Sequence, residues 1–355
     1  MRGVVGRPPS LTPTSNPIRI GRTWHTAPMS DTQDSSAPDL LWPDLGGRVA
    51  VVTGGGTGMG RELCRQLAEL GAHVATCDVS ADTMAETVST IDGVRTLTHL
   101  ADVSDEAQVL AFRDAVASEF GEVHLLFNNA GIGGGGSIVN DGRAEWEATF
   151  GVCWGGVYHG TRAFLPLLLA ADQGHVVNTS SVNGFWASLG PNVPHTAYSA
   201  AKFAVKGFTE ALVTDFRQNA PHLHASVVMP GHIGTSIALN SMKAHGRDPK
   251  EMTADQLDEI RTNWSRRGID LTAVSDEDLR TGIQQQGEMF RDLAPMTAAQ
   301  AAEVIIAAVR RGEWRILVGH DAEVLDALVR EHPTEAYSAQ FVDRLRAAGL
   351  FQFMN

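Results

Sequence analysis

Val49-Ala50-Val51-Val52-Thr53-Gly54-Gly55-Gly56-Thr57-Gly58-Met59-Gly60 is the stretch that decides the fold. Its first five residues are a continuous apolar, β-branched run, the pattern of a strand covered on both faces. Glycines follow at once, and Met59–Leu70 then carries apolar residues at 63, 67 and 70, spaced for one face of a helix. A strand passing through glycines into a helix lets the backbone approach a pyrophosphate, whose charge meets the helix N-terminus. A glycine cluster alone is weak evidence, because any tight turn needs glycine.

The rest of the chain repeats the rhythm. His73–Cys77, Thr96–Leu100, Val123–Asn128, His175–Thr179, Ala225–Met229 and Arg315–Val318 read as further strands, with helical segments such as Ala197–Arg217 between them. Alternating strands and helices imply βαβ units with right-handed crossovers, hence an α/β, doubly wound sheet. Between Ile233 and about Pro295 some 60 polar residues, with Trp264, Arg266 and Arg267 among them, break the rhythm. That is too long for a structureless loop, so residues 236–295 are expected to form two or three helices as a lid after the sixth strand.

Residues 1–44 differ. Seven prolines and no apolar period predict a disordered tail. The stretch before Asp31 is basic and free of acids, as in transit peptides, but its prolines argue against an amphipathic helix, and Met29 offers a second start.

Composition removes several classes of function. A formal net charge of −13 disfavours nucleic acid and anionic membrane as partners. No apolar run approaches the roughly 20 residues of a membrane span. Cys64, Cys77 and Cys153 show no paired spacing, and none of the 13 histidines pair at metal-ligand spacing, so no metal is expected and a reducing compartment fits best.

Two further motifs carry chemistry. Asp78 ends the second strand, 18 residues past Gly60. A carboxylate there accepts both hydroxyls of an adenosine ribose and repels a 2′-phosphate. No Lys or Arg occupies 54–60 or 79, so NAD is expected over NADP; a helix N-cap is the plainer role for Asp78. Asp102-Val103 follows the third strand; its carboxylate either meets the adenine amino group or, like Ser104, caps the next helix. Tyr198-Ser199-Ala200-Ala201-Lys202 puts a phenol and an amine on one helix face, in a chain with only three tyrosines. A phenol of pKa about 10 must lose about three units, roughly 4 kcal/mol, to act as a base near neutrality. One ammonium at about 4 Å and an effective dielectric near 20 supplies about that much, and an oxidised nicotinamide would add a second positive charge.

Taken in order, Thr53–Gly60, Asn128-Asn129-Ala130-Gly131, Ser181, Tyr198/Lys202 and Pro230-Gly231 resemble the short-chain dehydrogenase/reductase family over residues 46 to about 320. The resemblance implies a Rossmann-type catalytic domain over 45–330 with a seven-stranded parallel sheet, a C-terminal extension over 331–355, and a cytoplasmic homotetramer. It implies NAD as cofactor, held by Gly54, Thr57, Gly58, Met59, Gly60, Asp78, Asp102, Val103, Asn129, Ala130, Gly131, Pro230, Gly231, Ile233 and Thr235. Tyr198 would be the acid/base; Lys202 would grip the ribose and lower the tyrosine pKa; Ser181 would hydrogen-bond the substrate oxygen. Thr235 would meet the nicotinamide carboxamide.

Ser180 and Ser181 alternate at a strand end, so only one faces the site; the family pattern selects Ser181. The spacing from Ser181 to Tyr198 is a few residues longer than usual, the excess lying around Gly190–Pro194. Cys153 stands where similar proteins carry an asparagine whose backbone carbonyl holds a water near the lysine; a buried small hydrophobe is the plainer reading of the thiol. Val182, Phe185, Trp186, Leu189 and Val193 suggest a bulky apolar, steroid- or terpenoid-like substrate, with His195 as a further contact. The expected activity is hydride transfer between NAD(H) and a secondary alcohol or ketone. An NAD-binding regulatory protein without turnover and an NAD-retaining epimerase or dehydratase are the alternatives.

Overall fold

The computed structural model describes residues 40–189, 193–266 and 268–350 of the chain. Strand β1 (Val49–Thr53) runs into helix α1 (Gly58–Glu69), followed by β2 (His73–Asp78), α2 (Ala81–Val88), β3 (Thr96–Leu100), α3 (Glu106–Phe120) and β4 (Leu125–Asn128). The second half holds α4 (Arg143–Phe150), a π-helical turn (Gly151–Gly155), α5 (Gly156–Ala170), β5 (Gly174–Thr179), α6 (Thr196–Asn219) and β6 (Leu223–Pro230). The insertion then contributes β7 (Ile233–Gly234), α7 (Ile237–Ala244), α8 (Ala254–Ser265), α9 (Asp276–Asp292) and β8 (Met296–Thr297). The chain continues through α10 (Ala298–Arg311), β9 (Arg315–Val318), α11 (His320–Glu331) and α12 (Ala339–Ala347).

Seven strands pair in parallel in the order β3-β2-β1-β4-β5-β6-β9. The pleat explains why β1 is apolar throughout. Ala50 and Val52 face a layer that includes Leu63 and Leu67 of α1 and Ile305 and Val309 of α10. Val49 and Val51 face the opposite layer, with Phe112 of α3, Phe164 of α5 and Leu212 of α6. This is the doubly wound Rossmann-type fold, and the order of connection reverses between β1 and β4, where such sheets open a crevice for ligands. The glycine turn after β1 and the Asn128–Gly131 segment after β4 flank that crevice.

The insertion is built as three helices. Met252, Leu257 and Leu279 give it a small core of its own. The short pair β7–β8, through Ile233–Met296 and Gly234–Thr297, brackets its two ends.

The tail boundary needs correction. Residues 1–39 lie outside the described residues, but 40–44 belong to the domain. Trp42 is 1% exposed among Leu45, Val309 and Ile316; its N–H donates to the Arg310 carbonyl and its carbonyl accepts from the Arg310 guanidinium. Its indole N–H donates to Nδ1 of buried His175 at 3.2 Å. His175 Nε2 must then carry the proton, donating to Ser226 Oγ at 2.7 Å, which donates to the Glu313 carbonyl at 2.6 Å. The proline-rich composition hides this anchor because one docked tryptophan leaves no period to read.

Burial pushes the His175 imidazole down to about 3, so it is neutral in the folded chain. An unfolded chain takes up this proton below about 6.5. The contribution of His175 is therefore complete above pH 6.5 and is lost as pH falls toward 3, by at most about 1.4 kcal/mol per pH unit. The urea midpoint should fall between pH 7 and pH 5, and the fall should shrink in His175→Asn. Equal midpoints for the wild type would contradict the buried neutral imidazole. Trp42→Ala should cost about 3–5 kcal/mol at pH 7.

Candidate active site

The glycine turn is shaped by close approaches within itself. A Cβ on Gly60 would overlap the Gly54 carbonyl oxygen, and one on Gly56 would lie 2.8 Å from the Asp78 carboxylate. Thr57 stands at the N-cap of α1 without a side-chain capping bond, so the first helical amides have no competitor from that side chain. Asp78 Oδ2 accepts the Gly56 N–H at 2.9 Å, and Ser80, not Asp78, caps α2. Thr235 lies against the same turn, its Cβ 3.2 Å from where a Gly58 Cβ would stand. Asn129 and Ala130 donate backbone N–H groups to Thr53 Oγ1, and the Asn129 amide donates to the Thr53 carbonyl at 3.1 Å. Met59, in the first turn of α1, packs partly buried on the core. A row of glycines, an open helix N-terminus and a carboxylate at the neighbouring strand end fit a dinucleotide.

Asp102 and Ser104 do not cap α3; Asp105 does, accepting the N–H groups of Ala107 and Gln108. Asp102 Oδ1 instead closes a turn on Ser104, accepting its N–H and hydroxyl. Val103 is buried, with its side chain close against Gly156 of α5.

Tyr198 and Lys202 project from the first turns of α6 toward the end of β5. Ser181 lies just beyond that strand, near enough to the Tyr198 phenol to pull its pKa down, and its Oγ accepts the Asn183 N–H at 3.1 Å. Ser180 turns the other way, donating to the Lys202 carbonyl at 2.7 Å. Buried Lys202 donates from Nζ to the Thr179 carbonyl at 2.8 Å, and its nitrogen stands 5.4 Å from the Tyr198 ring centroid. Cys153, from the π-helical turn, donates its thiol to the Ile132 carbonyl at 3.1 Å. A Cβ on Gly131 would lie 3.5 Å from Lys202 Nζ and 3.7 Å from Cys153 Sγ, so these three residues converge.

The electrostatics differ from the sequence expectation. In the chain by itself the Tyr198 phenol is held above its ordinary value, first by burial and then by Cys153, with the Ser181 hydrogen bond pulling down. Burial lowers the Lys202 ammonium. Desolvation outweighs any help the amine gives the phenol, so an acidic tyrosine at neutral pH requires a further positive charge. Burial also lowers His195, to about 4, where its ring centroid stands 4.7 Å from that of Tyr198.

One expected substrate contact is elsewhere. Trp186 is 2% exposed in a cluster with Leu325, Phe341, Leu345 and Leu350, and Val182 and Phe185 pack against it. The Trp186 indole donates to the Ala336 carbonyl at 2.7 Å, and Tyr337 Oη accepts the Ala187 N–H. An apolar run shows that something covers it, not what; here the C-terminal segment does. Gly190–Asn192, in the lengthened loop, lie outside the described residues.

Residues the motifs did not mark also reach the site. Asn240 of α7 donates to Thr57 Oγ1 at 3.1 Å, Ser241 accepts the Gly133 N–H at 2.7 Å, and His245 Nε2 donates to the Gly133 carbonyl at 2.8 Å. The lid thus begins by fastening the glycine turn to the segment after β4. The adjacent polar pair Asn240-Ser241, following three apolar residues in α7, was the available signal.

The fold, the glycine turn and the serine, tyrosine and lysine group together define a class, and the chain belongs to the short-chain dehydrogenase family, whose model matches residues 48–245. Among similar proteins is a putative oxidoreductase, SadH, of Mycobacterium tuberculosis, 35% identical over 310 residues, which span 86% of this chain and 96% of that protein. Levodione reductase of Leifsonia aquatica is 34% identical over 238 residues, 66% and 85% of the two chains. Among solved structures, a short-chain dehydrogenase/reductase from Burkholderia phymatum in complex with NAD superposes with a TM-score of 0.66 at 30% identity, covering 82% of this chain and 95% of that one.

Proposed function

We propose that this chain is an NAD(H)-dependent oxidoreductase of secondary alcohols or ketones, with Tyr198 as acid/base. The observation that carries the reading is the convergence of Tyr198, Ser181 and Lys202 at the end of β5, with Lys202 one helical turn beyond Tyr198 and its Nζ fixed on the Thr179 carbonyl. Bound NAD supplies hydride acceptance, and its reduced form hydride donation. Ser181 presents a hydroxyl to the substrate oxygen while Tyr198 takes or returns the hydroxyl proton, the division of labour of an oxyanion donor and a general base. Lys202, fixed by the Thr179 carbonyl, stands ready to hold the ribose.

Asp78 supports NAD over NADP. Its carboxylate is oriented by the Gly56 amide, and the Arg61 guanidinium beside that turn is engaged by the Gly56 and Thr83 carbonyls and by Glu86. A 2′-phosphate would meet the Asp78 carboxylate there, while the Arg61 charge is already paired with Glu86. A bulky apolar substrate loses the support of Trp186, with Val182 and Phe185 packed against the same cluster, and rests on Leu189, Val193 and Trp264 of the insertion; His195 stays at the Tyr198 ring. An NADH-absorbance screen over secondary alcohols, with Tyr198→Phe as control, tests the reading, and turnover by the variant equal to the wild type would sink it.

Cys153 does not require a non-catalytic reading, because its contact to the Ile132 carbonyl is one that an asparagine amide can replace. Cys153→Asn should leave kcat equal or raised within a few fold; a loss beyond about 10²-fold would assign the thiol a catalytic task. Among the described residues no metal-binding cluster occurs and no helix is long and apolar enough to cross a membrane. Three free, buried cysteines suit a cytoplasmic protein. Exposed Tyr158 of α5 stacks with Trp154 and meets Phe208 of α6, a surface suited to a homotetramer. Sedimentation of the purified chain as a monomer would refute that assembly.

A further inference from the structure

Asp321 belongs to none of the motifs, yet it grips one of them. It is the second residue of α11, just beyond β9. Its carboxylate seats on Gly231, so that a Cβ there would overlap both of its oxygens. Oδ2 accepts the His232 backbone N–H at 2.6 Å, while Oδ1 is buried with no hydrogen-bond partner among the described residues. The Gly231 N–H goes to the Val318 carbonyl at 2.9 Å, so the loop leaving β6 is tied twice to the end of β9. On the other side, His232 Nε2 donates to the Phe290 carbonyl at 2.7 Å and its ring lies 4.4 Å from that of Phe290 on α9. Ile233 and Gly234 then pair with Met296 and Thr297, and Thr235 reaches the glycine turn.

We propose that Asp321 is a positioning residue for the nicotinamide half of the cofactor site, holding Pro230–Thr235 in place through the His232 amide and the bare face of Gly231. The inference rests on the dinucleotide reading above. A charge-assisted bond to a backbone amide fixes a loop more firmly than a neutral one, and losing it strands the amide. The carboxylate also sits favourably in the first turn of α11, but that effect alone stabilises the helix without distinguishing one end of the dinucleotide from the other.

The test is calorimetric titration of the full chain with NADH and with ADP-ribose, which lacks the nicotinamide. Asp321→Ala should weaken NADH about tenfold or more and leave ADP-ribose within about twofold. Asp321→Asn, which keeps an acceptor for His232, should stay near the wild type for both. Should the alanine variant fail to fold, Asp321→Ser, which suits a helix start but lacks the carboxylate, takes its place with the same expectation. Equal weakening of both ligands, or of neither, overturns the proposal. A wild-type chain that binds neither ligand defeats the dinucleotide reading, and this proposal with it.

Discussion

Tyr198→Phe should lower kcat about 10³-fold while the affinity for NADH stays within about threefold of the wild type. General acid–base catalysis by one positioned group contributes about 10²–10⁴-fold, and the phenol is the group that converges with Ser181 and Lys202. The ring remains in the variant, so its contact with His195 and its position over Lys202 are preserved, and cofactor affinity has little reason to change. Because burial and Cys153 hold the phenol above its ordinary value, most of the chain carries a protonated tyrosine at pH 7 when no dinucleotide is bound. Alcohol oxidation should therefore gain rate as pH rises from 7 to 9, and the gain should vanish in the phenylalanine variant. Residual activity above about a tenth of wild type would remove Tyr198 from the chemistry.

The second large effect is expected at Asp78. Asp78→Ser should raise the relative preference for NADP over NAD by at least about 10²-fold, read as the ratio of kcat/KM values. A carboxylate and a dianionic phosphate about 4 Å apart repel by about 8 kcal/mol at an effective dielectric near 20, whereas 10²-fold needs only about 2.7 kcal/mol. Most of the repulsion can be screened away and the prediction still stands. Serine keeps a hydroxyl for the ribose and for the amides of Gly56 and Ser80 that now point at the carboxylate. Absolute activity with NADP should stay modest, since Arg61 is spoken for by Glu86 and two carbonyls. An unchanged ratio would place the adenosine ribose elsewhere.

The sheet was legible because parallel strands covered on both sides are short continuous apolar runs, as in Val49–Thr53 of β1, while the edge strands β3 (Thr96–Leu100) and β9 (Arg315–Val318), less buried, were bounded by their place in the alternation of strands and helices. The clustering of Tyr198, Lys202 and Ser181 was legible because one helical turn and one strand end bring them together without long-range information. What stayed hidden depends on distant pairing. Trp42 meets His175 across 133 residues and Trp186 meets Ala336 across 150, and no local period announces either. The direction of the Tyr198 shift was misread because spacing gives the distance to a charge but not the cost of removing water. Asp321 escaped because it looks like any acidic residue opening a helix.

The covering of Trp186 gives the chain an order of completion. All seven strands and the tyrosine helix leave the ribosome before Ala336, Phe341 and Leu345 do, and a domain can begin to fold while still being made. The loop that carries Ser181 then waits, greasy side out, for the final helix to shelter it. A nascent or clipped chain stopping near residue 331 would display a bare indole to every chaperone and protease nearby, a handle that disappears once Ala336, Phe341 and Leu345 have packed over it.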